Sequence, residues 1–258
     1  MSRIPIGLEL YSVRHDLEKD PLGTLKAVAE MGYEGVEFAG PPQHSGDALK
    51  AMLDEAGLVC CGWHTPFNLV SADALESTVE LNRTVGNRYV IVPGIPANLR
   101  ESREDWLKMA DVFRELGHKL APHNMMTGYH NHHIEFQPLD GECPWDTFFS
   151  NTGENVIMQL DLGNALRGGG DLLSILNKYP GRCQTIHLKP YSKAAGVEDP
   201  QAGYKPLIGE DDVPWQKIFD FCETRGNTQW YIVEYESDAY PSLEAVDRCL
   251  QALRRMGK

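Results

Sequence analysis

The 258 residues, 42% of them apolar, suffice for one large core that needs no disulfide or metal staple to fold. Lys plus Arg total 24 against 37 Asp plus Glu, and the resulting formal charge of −13, with no basic stripe, argues against nucleic acid as the main partner. No apolar run approaches the roughly 18 residues of a membrane span, the opening MSRIPIGLEL lacks the basic start and apolar stretch of a signal peptide, and the six cysteines form no CxxC pair, so a soluble cytoplasmic protein with reduced thiols is expected.

Short β-branched or aromatic runs alternate with segments of helical period from one end of the chain to the other. Strands are predicted at 4–9, 34–38, 58–63, 88–92, 125–130, 156–161, 184–188 and 230–235. Helices are predicted between and after them, at 20–32, 46–57, 72–85, 102–120, 144–151, 171–179, 213–225 and 241–256. Ser71, Asp171 and Asp212 stand where N-caps would, with Pro214 early in its helix, and Gly32 and Gly57 follow their helices as terminating glycines do. Eight β/α units predict a single-domain (β/α)8 TIM barrel over residues 1–258, with an open doubly wound sheet as the alternative.

Glycine signals separate these two. The first strand-to-helix turn reads ELYSVRHDLEKD, without the GxGxxG of a dinucleotide fold, and no GxxxxGK[ST] phosphate loop occurs. Gly168-Gly169-Gly170 before Asp171 either turns the chain or cradles an anion at a helix start, and turning is the more ordinary use.

In such a barrel the C-terminal strand ends converge on one face. Those positions carry Glu9 and Tyr11, Glu37, His64, the run His130, Asn131, His132, His133 and Glu135, then Asp161 and Asn164, His187 and Lys189, and finally Glu234 and Glu236. A single Asp there is ordinarily a helix cap and a single His an ordinary core or surface residue. Carboxylates and imidazoles recurring at one end of adjacent apolar strands (MQLD, TIHL, YIVE) are different, because burying them unpaired costs several kcal/mol each. A divalent cation supplies the partner, and this ligand chemistry suits Mn2+, Mg2+, Co2+, Fe2+ or Zn2+.

The segments GLELYSVRHDLEKDPLGTLKAVAEMGYEGVEF, GYHNHHIEF, LDLGNALRGGGD with IHLKP, and IGEDDVPWQKIF with YIVEYE span nearly the whole chain. In that order they resemble the xylose-isomerase-like TIM barrels, grouped as sugar phosphate isomerases/epimerases, with endonuclease IV as a distant relative. The resemblance implies one divalent metal, commonly Mn2+, held by Asp161, His187, Glu234 and a carboxylate after strand five. In the YHNHxxEF subgroup that carboxylate is Glu135, with His132 as the alternative ligand. It further implies substrate contacts from His64 and Lys189; Glu9 and Tyr11, at the end of the first strand, are added as substrate-binding candidates.

The chemistry implied is removal of a proton α to a ketone, with Glu135, Glu234 or His132 as base and Lys189 steadying the enediolate oxygen. Reprotonation makes an isomerase or epimerase of a keto-sugar (a 3-keto-glycoside, keto-inositol or ketohexose); loss of a β-substituent makes a lyase or dehydratase, the alternative. An unphosphorylated substrate is expected, since only Arg167, Lys189 and Lys193 are basic near the site loops. A phosphodiesterase like endonuclease IV would need more metal ligands, from His44, His64, His123 or the HNHH run, and a positive groove. A homo-oligomer or a second subunit is conceivable, with apolar surface from Trp145–Phe149 and Phe219–Phe221, although core packing accounts better for both stretches.

Overall fold

The computed structural model describes residues 3–258. Among these, eight strands form one all-parallel sheet: β1 Ile6–Glu9, β2 Gly35–Ala39, β3 Val59–His64, β4 Tyr89–Val92, β5 Met126–His130, β6 Val156–Gln159, β7 Thr185–Leu188 and β8 Trp230–Val233. The hydrogen-bonded order β6-β5-β4-β3-β2-β1-β8-β7 leaves β6 and β7 as its ends. A parallel bridge between Asp161 and His187, with His187 N donating to Leu160 O at 3.0 Å, brings those ends together into a nearly closed (β/α)8 barrel.

The helices are α1 Arg14–Lys19, α2 Pro21–Met31, α3 Gly46–Ala56, α4 Leu75–Val85, α5 Arg103–Leu120, α6 Pro144–Phe149, α7 Leu162–Arg167, α8 Leu172–Lys178, α9 Trp215–Thr224 and α10 Ser242–Arg255. Local chemistry sets several of their ends. Asp20 caps α2 through Gly23 N with Pro21 in the first turn, Gly32 and Gly57 end α2 and α3 at positive φ, and Ser102 and Asp105 cap α5 reciprocally. Asp171 caps α8 as expected.

Two expected caps are corrected. Ser71 lies before a separate turn, and α4 starts at Leu75 with Ala74 ahead of it. Asp212 is drawn away by Lys193 N, which donates to its carboxylate at 2.6 Å, and Pro214 stands just outside α9 rather than within it. The glycine run turns the chain: Gly169 has φ +86°, and a Cβ on Gly168 would lie 2.3 Å from His133 O.

Apolar side chains between strands and helices make the main core, into which Trp145, Phe148, Phe149, Phe219 and Phe221 are packed. They are core residues rather than exposed association surface. Inside the barrel, Tyr89, Ile91 and Ile157 pack with Met126 and Trp230 as an apolar floor. The polar side chains lie above that floor, toward the C-terminal strand ends.

Candidate metal centre and active site

Strand alternation selects which side chains enter the barrel. On β5, Gly128 and His130 point inward while Tyr129 points out, where its ring packs edge-on against Trp106 and Phe113 of α5. The inward side chains that meet at the barrel mouth are Glu9, Glu37, His64, His130, Gln159, Asp161, His187, Lys189 and Glu234, all buried.

Gln159 organises this cluster. Its amide nitrogen donates to Glu37 Oε1 (2.9 Å) and Thr185 Oγ1 (3.0 Å), so its oxygen accepts from His64 Nε2 (2.7 Å) and His130 Nδ1 (3.2 Å). His187 is held at both ends, Nε2 2.6 Å from Glu37 Oε2 and Nδ1 2.6 Å from Glu234 Oε2. Burial works against its protonation, but the two carboxylates outweigh it and raise His187 well above the ordinary imidazole range. Lys189 Nζ donates to Glu234 Oε1 (2.9 Å) and Glu236 Oε2 (3.0 Å) and lies 3.8 Å from Asp161 Oδ2. Burial opposes its charge too, yet Glu234, Asp161 and Glu236 hold it protonated.

Asp161 serves two ends. Its Oδ1 caps α7 by accepting Asn164 N at 2.6 Å, and its Oδ2 is buried with no hydrogen-bond partner among the described residues. Burial raises its pKa well above the usual carboxylate range, with Lys189 acting in the opposite direction. Asn131 clamps the same backbone from β5, accepting Asp161 N at 2.8 Å and donating to Asp161 O at 3.1 Å. Ligand atoms of His130, Asp161, His187 and Glu234 all lie within 4.8 Å of one another. Two carboxylates, two imidazoles and an orphaned buried oxygen fit a divalent cation such as Mn2+ or Zn2+.

Asp161, His187 and Glu234 are thus brought together, but Glu135 is not. Its oxygens accept from Tyr129 OH (2.6 Å) and His132 N (2.8 Å), so the carboxylate turns toward the outer face of β5. The inward position there belongs to His130, which the sequence places at the strand end but to which no ligand role was given, although strand alternation could have assigned one. Glu37 was named at its strand end without a role, and Gln159 was missed; the only signal for either was its place at a strand end. His132 is exposed at the rim, its ring edge-on to His130 with centroids 5.5 Å apart. Lys189, His64 and Glu9 are in the centre, whereas Tyr11 is 45% exposed beneath the Arg14 guanidinium. Tyr11 lines a cavity of about 630 Å³ with Phe38 and Trp63 among its other walls, none of which belongs to the cluster. His44 and His123 are exposed, away from the cluster.

Two substitutions probe this architecture. A Cβ on Gly62 would lie 2.1 Å from Glu37 Oε1, so Gly62→Ala must dislodge Glu37 from Gln159 and His187. It should weaken Mn2+ binding about 10–100-fold, as loss of a carboxylate that orients a histidine ligand does, read by calorimetric titration. Tyr129→Phe leaves Glu135 Oε1 buried without that donor and should cost about 1–3 kcal/mol in urea denaturation with Mn2+ content unchanged. An unaltered midpoint with altered Mn2+ content would place Glu135 among the ligands after all.

The sequence model of the xylose isomerase-like TIM barrel family matches residues 25–256. The chain is 24% identical over 250 residues to an inosose dehydratase of Serratia proteamaculans (strain 568), covering 83% of this chain and 82% of that protein. Among solved structures it is similar to a sugar phosphate isomerase/epimerase from Parabacteroides distasonis ATCC 8503, with TM-score 0.82, 20% identity and 98% of both chains covered. It is also similar to the IOLI protein with a bound zinc atom, with TM-score 0.72, 15% identity, and 98% of this chain and 97% of that chain covered. At these identities the two structures speak for the fold alone. The family match takes in nearly the whole barrel, and the protein belongs to the xylose isomerase-like TIM barrel family.

Proposed function

We propose that the protein is a divalent-metal-dependent enzyme that removes a proton α to the ketone of an unphosphorylated keto-inositol or keto-sugar and then expels the β-hydroxyl as water. The observation that carries the reading is the orphaned Asp161 Oδ2, with His130 Nε2 and the Lys189 ammonium each 3.8 Å away. His130, Asp161, His187 and Glu234 would hold the cation, and Glu37 would keep the His187 ring in place by accepting its Nε2 proton. When bound, the cation supplies Lewis-acid polarisation of the substrate carbonyl.

The chain's own groups do the rest. Lys189, held protonated by three carboxylates, presents an N–H to the oxygen on which enolate charge develops. His132, at the rim beside His130, is placed to take the α-proton through its imidazole and to return it to the departing β-hydroxyl, which leaves as water. The proton taken from carbon is the proton lost in water, so the step balances with no other reactant.

Elimination is placed ahead of the isomerase or epimerase outcome because the curated relative aligned over 83% of this chain is an inosose dehydratase. Epimerisation is the second reading, since it shares the enediolate and needs only an acid on the opposite face, for which Glu236 beside Lys189 is at hand. Incubating the Mn2+-loaded protein with an inosose in D2O separates the readings by mass spectrometry. A product one water lighter supports elimination, and deuterium uptake without loss of water supports epimerisation. Neither change, with inosose and with a 3-keto-glucoside, overturns the proposal.

A further inference from the structure

Two strands that carry site residues turn the next side chain the other way. Phe38 and Trp63 alternate with the inward Glu37 and His64, so their rings lie on the outer side of the sheet, stacked with centroids 4.8 Å apart and planes 29° from parallel. There they wall the cavity of about 630 Å³, which the segments following β1 and β2 enclose and to which Leu25 and Met52 add apolar surface. Its volume falls in the range of about 300–1,000 Å³ usual for small-molecule pockets. Trp63 is fixed in its wall by donating Nε1–H to Gly40 O at 2.9 Å. At the rim stands Tyr11, the one exposed Phe, Tyr or Trp side chain among the described residues.

We propose that this cavity binds a free aromatic acid, its ring system against Tyr11, Phe38 and Trp63 and its carboxylate on Arg14. The Tyr11 ring is held by Arg14, whose guanidinium lies 4.3 Å from the ring centroid and whose Nη1 donates to Tyr11 O at 2.8 Å. A ring so held loses little freedom when a second ring packs against it. Arg14 spends one nitrogen in this way. Its Nε and Nη2, the parallel donors that a carboxylate accepts in fork fashion, have no acceptor among the described residues. An unpaired guanidinium stands out in a chain of 37 acidic against 24 basic residues. Glu18, four residues along α1, is spaced to pair with it, yet this exposed carboxylate lies toward His15, at 3.9 Å. Arg14 also borders a second cavity of about 400 Å³, but Glu236 and Asp238 line that one and repel an anion. Charge therefore directs the acid to the aromatic side.

The cavity shares no residue with the cluster at the barrel mouth, so this binding is independent of the proposed reaction. Full-length protein, both Mn2+-loaded and chelator-treated, is titrated calorimetrically with 2-naphthoate and with the neutral 2-naphthamide. One 2-naphthoate per chain is expected, bound about 10-fold or more tightly than the amide and equally well in the two metal states. Arg14→Met should remove the preference for the acid, and Tyr11→Ala should weaken acid and amide alike, about 2–10-fold. Absence of saturable binding, or equal affinity in wild type and either folded variant, overturns the proposal. Binding to the Mn2+-loaded protein alone also overturns it, since the acid then sits on the cation. Tyr11 is exposed and Arg14 half-buried, so both variants should fold by circular dichroism. Should one fail, the acid-over-amide preference and metal independence of wild type decide.

Discussion

Asp161→Asn should lower turnover about 10³-fold or more and abolish cation binding at the His130–Asp161–His187–Glu234 centre, while the barrel itself stays folded. The amide can keep one oxygen on Asn164 N, preserving the cap of α7. It replaces the orphaned Oδ2 with an NH2, a donor that no cation accepts and that faces the Lys189 ammonium across 3.8 Å. The stability consequence depends on the metal. Without it, wild type carries a deeply buried carboxyl whose ionisation is opposed by burial, so the variant should melt at or above wild type. With Mn2+ at about 100 times its dissociation constant, wild type should gain about 2.7 kcal/mol, which corresponds to roughly 5–10 °C for a chain of this size. The variant should gain less. Scanning calorimetry of both proteins, with and without chelator, reads this crossover, and an equal metal-induced gain in the two would remove Asp161 from the ligand set.

Lys189→Met should lower turnover about 10²–10³-fold, the scale of losing one donor to a developing oxyanion. Cation affinity should move the other way. The ammonium stands 3.8 Å from Asp161 Oδ2 and 2.9 Å from Glu234 Oε1, both on residues of the proposed ligand set, so it would repel a cation bound between them. Removing it leaves these carboxylates more negative and should tighten Mn2+ binding several-fold in calorimetric titration. Slow turnover together with tighter metal separates a group that acts on substrate from one that merely builds the site. Parallel loss of both would mean that Lys189 is chiefly structural, since breaking a buried ion network costs about 3–5 kcal/mol.

The fold was legible because its signals are local. Alternating β-branched and helical runs placed all eight strands, and Asp171, Gly32 and Gly57 act at helix ends where their side chains or positive φ angles are used. The failures are equally local in origin. Helix α7 was missed because its six residues follow β6 almost directly, and its cap, Asp161, was assigned to chemistry alone although it serves both ends. Asp212 has the composition of a cap, but a distant backbone N–H at Lys193 competes for its carboxylate.

Residue type and strand end singled out Asp161, His187, Lys189 and Glu234, which the fold brings together, because charged groups closing apolar runs have few inexpensive explanations. Which carboxylate or imidazole comes from β5 was a question of direction. Glu135 and His130 are five residues apart and equally suited to ligation by type; Tyr129 OH and His132 N–H draw Glu135 outward, while the pleat sends His130 in. Gln159 and Gly62 are silent in the sequence, since one acts by orienting two rings from different strands and the other by leaving room for a carboxylate from a third. Periodicity and end signals along the chain therefore determined the barrel and the end at which its chemistry lies. Only closure of the sheet, which brings β1 to β8 around one axis, decided which side chains meet, because tautomer, orphaned oxygen and shared ligand are properties of contacts between residues up to 150 positions apart.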